Sequence, residues 1–394
     1  GVCVGVLLGG AVAQQASKEP EPGPPPPDGW RWRPSQPKGG DGDSQSTPPE
    51  VLVYPFAEED GGRRPQAALG VAIVPGNPGI PHFYCRFAER LHRELAAAMP
   101  VSIYIVGYPN FSTREAPEHA GAHVDEEAAQ ISAVLEELGR EHCERGLVLI
   151  GHSIGAWVVT QHLGRQARSD ITNGHTGNDF GGRLPVPLAV LAMPYLEYHG
   201  SWKQRLVSFV WSMPGVGGLV RFLSLAALAI PVSMHDAVGW LFVSSNQAHV
   251  ETFKATMLRQ AHHLAGMLLM VRSEVQRLHP SVTPGAGLDE LRPLLAAPGR
   301  PPVIALFTPG DVWSPLCHAP RLRELLAEQD EVLDLSVAST NCLVDGRPPP
   351  HGFVLEDDFA AAVAALIASR AAALAAKFAA VAPRHEDSRS TIRE

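Results

Sequence analysis

No stretch of this sequence stays apolar long enough to cross a bilayer. Its most apolar region runs over residues 206–220, 222–234 and 238–243, and Arg221, His235 and Asp236 interrupt it, whereas a spanning helix needs about 20 consecutive apolar residues. Cysteine is scarce. Cys3, Cys85, Cys143, Cys317 and Cys342 are the five present, and no pair has the close spacing of a zinc or redox motif. Free thiols in a reducing compartment fit that pattern, and nothing in the spacing supports a bridge between Cys317 and Cys342. Positive charge is in deficit: 32 Lys and Arg stand against 41 Asp and Glu, for a net charge of -9. The basic residues are scattered, so the chain has no basic face for nucleic-acid phosphates, and attraction to an anionic membrane is not signalled either. Phosphate-loop and dinucleotide glycine signatures are missing. His119 and His123 have i, i+4 spacing without the glutamate base of His-Glu-x-x-His, and His262 and His263 suit a polar helix face. Neither a catalytic metal nor a cofactor is expected.

The 394 residues, 45% of them hydrophobic, suffice for one large α/β domain or two smaller ones. The chain begins at Gly1, and residues 2–13 are apolar but too short to span a bilayer; a remnant of a targeting segment is one reading of them, and no address is read from them. Residues 16–49 are rich in Pro, Gly, Ser and charge; such a composition buries too little apolar surface to order itself. Residues 1–50 are therefore expected as a disordered tail, with Trp30 and Trp32 at odds with that reading. Beyond Val51, short apolar runs alternate with helical patterns, which signals a parallel sheet with crossover helices. Strands are expected over 69–74, 101–106, 147–150, 187–191, 302–307 and 332–337. A helix is expected over 125–139 and a closing helix over 356–378. The alternation breaks between residues 195 and 301, an insertion too long for one crossover. The expected organisation is a core in two parts, 51–195 and 301–380, an apolar helical cap over 196–300, and a disordered tail over 381–394. The cap has two readings: helices packed over the core, or a monotopic hairpin lying in a lipid surface.

The chemistry centres on Gly151-His152-Ser153-Ile154-Gly155. Gly-x-Ser-x-Gly is weak by itself, but here a buried-strand pattern precedes it and a helical one follows. That is the strand–turn–helix context of a nucleophile elbow and of an α/β-hydrolase fold with a mostly parallel central sheet flanked by helices. Ser153 is the expected nucleophile. Gly151 and Gly155 leave room for the tight turn, and the helix start aims its N–H groups at a developing oxyanion. A hydroxyl needs a base and an orienting acid, which in this fold follow in the order acid, then histidine. Asp311, just past the strand at 302–307, fits the acid; Asp334 competes but lies inside the next strand pattern. His351, in the loop before the closing helix, fits the base; His318 is the alternative but follows Asp311 too closely. His152 reads as orienting structure. The backbone N–H of Asn77, in Val74-Pro75-Gly76-Asn77-Pro78-Gly79, and that of Ile154 are the expected oxyanion donors, because Pro78 has no N–H to give. A carboxylate at the elbow would suit an epoxide hydrolase or dehalogenase; Ser153 speaks against both.

Three segments together resemble the lipid droplet-associated hydrolase family: residues 73–79 followed by Phe83, Tyr84 and Phe87; residues 148–155; and Asp311-Val312-Trp313 with Pro350-His351. The resemblance covers about residues 67 to 370 and is strongest before 165. The chain departs from it at Thr308-Pro309-Gly310 and in a longer loop over 338–350. The resemblance implies an α/β-hydrolase with Ser153, Asp311 and His351 as the triad, weak activity on lipid esters, sterol esters among them, and seating on the lipid droplet monolayer or endoplasmic reticulum surface at its cytosolic face. No obligate protein partner is expected. The rival expectations are a droplet-bound scaffold on a hydrolase core and a soluble carboxylesterase or thioesterase.

Overall fold

A computed structural model describes residues 24–33, 48–55, 69–113, 123–142, 146–172, 186–228, 230–243, 246–279, 281–283, 286–295 and 300–381. The strands are β1 (Arg31–Trp32), β2 (Val51–Tyr54), β3 (Leu69–Val74), β4 (Val101–Val106), β5 (Leu147–His152), β6 (Ala189–Ala192), β7 (Val303–Phe307) and β8 (Glu331–Asp334). They form one sheet in the order β1-β2-β4-β3-β5-β6-β7-β8. From β4 through β8 every pairing is parallel, while β1 and β2 run antiparallel at one edge. Central strands β3 and β5 are buried along their whole length, which is why they are spelled Leu-Gly-Val-Ala-Ile-Val and Leu-Val-Leu-Ile-Gly-His with no polar alternation. Edge strand β8 is only partly buried, and it stops at Asp334, short of the expected 337.

Helices α1 (Cys85–Ala96), α2 (Val124–Glu141), α3 (Ile154–Thr172) and α11 (Asp357–Val381) cover the sheet. Helix α11 packs on α1, and α2 packs on α3. In α2 the buried positions Ala128, Ile131, Leu135 and Leu138 fall at helical spacing, so one stripe faces the core and the rest is solvated. Asp357 and Asp358 open α11, where the helix dipole favours negative charge.

The expectation of a disordered segment up to residue 50 fails at Trp30–Arg33. Arg31 and Trp32 pair with Val53 and Leu52. Trp30 is 3% exposed, stacks on Tyr54 with ring centroids 4.9 Å apart, and donates its indole N–H to Glu89 at 3.0 Å. Composition averaged over the segment hides the buried Trp30, whose burial contributes about 2 kcal/mol or more, and the half-buried Trp32. The stretches 1–23, 34–47 and 382–394 lie outside the described residues, as do Cys3, His119 and Cys143.

The insertion between β6 and β7 is helical: α4 (Trp202–Ser212), α5 (Val216–Leu228), α6 (His235–Val243), α7 (Gln247–Phe253), α8 (Ala261–Leu278) and α9 (Leu288–Leu295). Helix α8 ties the cap to the core. It packs on α2 and on the turn Pro109–Phe111. Its Ser273 hydroxyl accepts the Val124 N–H at 2.9 Å, and Arg277 donates to Asp125 at 3.0 Å. His262 and His263 do not sit on a polar face as expected. Both turn inward to the Ser112 carbonyl, at 3.2 and 2.9 Å. Burial pushes the His263 pKa down to about 3, so a neutral ring donates there.

Helices α4 and α5 pack on α8 but leave their other side bare. Of the thirteen exposed large hydrophobic side chains among the described residues, eleven lie between positions 202 and 240, led by Trp202 (66%), Phe209 (61%) and Phe222 (61%). No single described helix is long and apolar enough to cross a membrane; α4 and α5 reach that length and hydropathy only together, and they are bent by 107° at their junction.

Candidate active site

Strand β5 ends at His152, and α3 begins at Ile154, so Ser153 alone makes the turn, at a φ of 54°. A non-glycine residue rarely holds that conformation, and surrounding structure must compel it. Here two close approaches do so. A Cβ on Gly151 would lie 2.4 Å from the Gly155 carbonyl oxygen, and one on Gly155 would lie 2.3 Å from that of Val74. The turn closes only because both positions carry hydrogen. The Ser153 N–H is anchored on the Ala192 carbonyl at 3.0 Å, and its own carbonyl accepts the Tyr195 N–H at 3.1 Å. The side chain is thereby presented at the carboxyl end of the parallel sheet.

Asp311 and His351 come to that same end from the loops after β7 and β8. The Ser153 Oγ lies 2.9 Å from His351 Nε2, and His351 Nδ1 lies 2.6 Å from Asp311 Oδ2. The other carboxylate oxygen, Oδ1, accepts the N–H groups of Trp313 at 2.8 Å and Ser314 at 3.0 Å. Burial pushes the Asp311 carboxyl up, but His351 and those two N–H groups outweigh it, and the net direction is down. Asp311 is therefore ionised, acts only as an acceptor, and obliges His351 to carry its proton on Nδ1. Nε2 is left with a lone pair facing the Ser153 hydroxyl. The neighbouring departures at 308–310 and 338–350 do not displace either group from this line. Asp334 is occupied in its own turn, accepting from the N–H and hydroxyl of Ser336 at 2.9 and 2.7 Å. His318 meets the His199 ring edge-on at 5.2 Å.

The backbone N–H groups of Ile154 and Asn77 meet no protein acceptor among the described residues. The Asn77 side chain is held by the cap: its Nδ2 donates to the Met267 carbonyl of α8 at 3.0 Å. Glu274, one helical stretch further along α8, lies against the same carboxamide, and burial pushes its pKa up to about 8. The Asn77 side chain lowers that value again in part, as an amide N–H facing a carboxyl oxygen does, but burial outweighs it. The loop that carries one expected oxyanion donor is thus clamped by a cap helix.

A second hydrogen-bonded line was not legible as such. The Gly76 N–H donates to the Tyr84 hydroxyl at 2.7 Å, which is 2.6 Å from His152 Nδ1; His152 Nε2 is 2.7 Å from the His351 carbonyl. That carbonyl can only accept, so His152 carries its proton on Nε2. Burial lowers the His152 pKa to about 3, which keeps the ring neutral and makes Nδ1 the acceptor of the Tyr84 O–H. One buried relay therefore joins the Asn77 loop, the elbow and the backbone of the histidine. The only sequence signal was Phe83-Tyr84 following the proline–glycine run, and the orienting role read for His152 gains a definite partner on each ring nitrogen.

The family model for lipid-droplet associated hydrolases matches residues 68–354, well over half of the chain. This chain belongs to that family. Among curated relatives, the lipid droplet-associated hydrolase of Drosophila melanogaster is 33% identical over 103 residues, covering 24% of this chain and 32% of that protein. The Mus musculus lipid droplet-associated hydrolase is 29% identical over 140 residues, covering 32% of this chain and 38% of its own length. The matched part thus spans about a third of each relative. Among solved structures, the haloalkane dehalogenase DatA from Agrobacterium tumefaciens C58 superposes with a TM-score of 0.55 at 11% identity, over 88% of this chain and 98% of its own. DbeA from Bradyrhizobium elkani USDA94 gives 0.54 at 13%, over 88% and 99%. Identities that low establish the α/β-hydrolase fold of this family member and nothing of its chemistry.

Proposed function

We propose that this lipid-droplet-associated hydrolase family member is a serine ester hydrolase that works on lipid esters at a lipid droplet surface. The observation that carries the reading is the Ser153–His351–Asp311 line, with contacts of 2.9 and 2.6 Å around a strained serine. His351 takes the proton from Ser153 as Oγ attacks the ester carbonyl. Asp311 holds the imidazole and stabilises its positive charge, and His351 then returns the proton to the leaving alcohol. The N–H groups of Ile154 and Asn77 receive the oxyanion, an interaction worth about 3–4 kcal/mol per donor in such sites. Water, activated by the same histidine, releases the acid.

The bare face of α4–α6 supports a lipid surface as the place of work. An apolar patch of that extent on a water-facing protein marks an interaction site, and its bent, interrupted helices suit a structure that lies in an interface rather than spans it. Sterol esters and other long-chain esters are the substrate class this apolar setting favours, on the cytosolic face of droplets, with the endoplasmic reticulum as a second location.

A fluorophosphonate probe tests the chemistry. Labelling of the lipid-presented wild type that vanishes in both Ser153→Ala and His351→Ala is expected. Absent labelling of folded protein would refute an activated serine. The same apolar face favours a second reading, a droplet-bound scaffold, and rescue of a droplet phenotype by Ser153→Ala would select it.

A further inference from the structure

Outside the serine site, three side chains with metal-ligating atoms converge at the base of the cap. His199 lies in the segment from β6 to α4; Cys317 and His318 begin α10 (His318–Leu325). One ligand atom from each lies within 4.8 Å of the others. The Cys317 Sγ is 3.7 Å from both His199 ring nitrogens, and the two imidazoles meet edge-on with centroids 5.2 Å apart. We propose that His199, Cys317 and His318 form a zinc(II) site that ties the start of the cap insertion to the core segment after β7.

Tetrahedral zinc, with Zn–S near 2.3 Å and Zn–N near 2.0–2.1 Å, sets sulfur and nitrogen ligands about 3.6 Å apart and two nitrogens about 3.3 Å apart. The sulfur–nitrogen separation already matches. Because the sulfur is equidistant from both His199 ring nitrogens, closure requires this exposed ring to turn one nitrogen lone pair toward it. One thiolate and two imidazoles suit zinc and disfavour magnesium or calcium, which take oxygen. Cys317 and His199 are both exposed, so the fourth position opens to water.

The surroundings support the placement. The buried Gln204 holds the His199 turn, its Oε1 accepting the N–H groups of His199 and Gly200 at 2.9 Å each. Gln204 Nε2 reaches the Val312 carbonyl at 3.4 Å, beside Asp311, so the two ligand segments are already joined by protein. Arg321, one turn beyond His318, is a cation that would repel zinc, but Glu197 at 2.7 Å and Asp289 at 3.2 Å neutralise it. His199 and Cys317 are 118 positions apart, and the whole cap lies between them. A metal there closes a loop around the insertion and strand β7, and the long-loop closure is where such a cross-link stabilises most.

Cobalt(II) titrated into chelator-treated full-length protein, in detergent and under reducing conditions, tests the site. One equivalent should give a thiolate-to-cobalt charge-transfer band with the intense visible bands of tetrahedral cobalt, and zinc should displace it. Cys317→Ser, at an exposed position, should fold, lose the charge-transfer band, and lose the rise in melting temperature that zinc gives the wild type. His199→Ala should lose the tetrahedral spectrum. No saturable binding at one equivalent, or a charge-transfer band that persists in Cys317→Ser, would overturn the proposal. Both readings are independent of whether Ser153 reacts.

Discussion

Removing one hydroxyl tests the relay that joins the three loops. In Tyr84→Phe the ring still fills its pocket, since Tyr84 is 4% exposed, and no volume is lost. Two buried groups lose their partner: the Gly76 N–H and His152 Nδ1. Each unsatisfied buried polar group costs about 1–3 kcal/mol, so a loss of about 2–6 kcal/mol is expected if no water enters. The same change frees the His152 ring, whose other nitrogen holds the His351 carbonyl at 2.7 Å. His351 then samples positions away from Ser153, and probe labelling slows along with the stability loss. Urea denaturation measures the first effect and single-turnover labelling the second. A double-mutant cycle with His152→Phe isolates the pair, and a coupling energy of about 0.5–3 kcal/mol is expected for residues in one network. Wild-type stability and labelling in Tyr84→Phe would refute the relay outright. So would purely additive effects in the cycle.

Asp311→Asn should fold yet react with the probe on the order of 10⁴-fold more slowly, because the amide presents His351 with the wrong hydrogen-bonding partner; a loss under tenfold would remove Asp311 from the site. Gly155→Ala should yield no folded, probe-reactive protein, since its Cβ would sit 2.3 Å from the Val74 carbonyl oxygen, and soluble, reactive protein would contradict the elbow geometry. Burial raises the carboxyls of Glu127 and Glu274 from 4.5 to about 8 in the folded state. At these two groups the folded protein therefore binds more protons than the unfolded chain between those values, their stabilising protonation is complete below 4.5, and their contribution falls as pH rises toward 8. Denaturation midpoints from pH 7 to 9 should show that fall, above the range in which the buried neutral His152 and His263 act in the opposite direction, and Glu274→Gln should flatten it; a stability curve rising over that range in the wild type and unchanged in the variant would sink the argument. Replacing Phe209 and Phe222 by aspartate should leave melting unchanged, because both are 61% exposed, while flotation with oil-core droplets drops; undiminished flotation would send the docking face elsewhere.

Much of the core was legible because its signals are local. The buried runs at 69–74 and 101–106 became β3 and β4 with the same bounds, since a strand covered on both faces reads as a nearly continuous apolar run. The elbow was legible because strand, turn and helix are contiguous. Asp311 and His351 were found by their place after particular strands, and the structure brings them together with Ser153. The edge of the sheet was harder. Two-residue β1 is too short to show periodicity, and Trp30 is ordered by Tyr54 and Glu89, far from it in sequence.

The amino-acid order by itself determined the alternation of strands and helices, the apolar insertion, and the serine–acid–histidine order, all properties that nearest neighbours decide. Only tertiary structure decided which distant groups share a hydrogen bond. Tyr84, His152 and His351 form one relay, Glu274 of the cap presses on the Asn77 loop, and His199 meets Cys317 across 118 positions. Each of these contacts depends on how the cap and the strand-end loops come together over the sheet, and side-chain spacing along a chain carries no record of that.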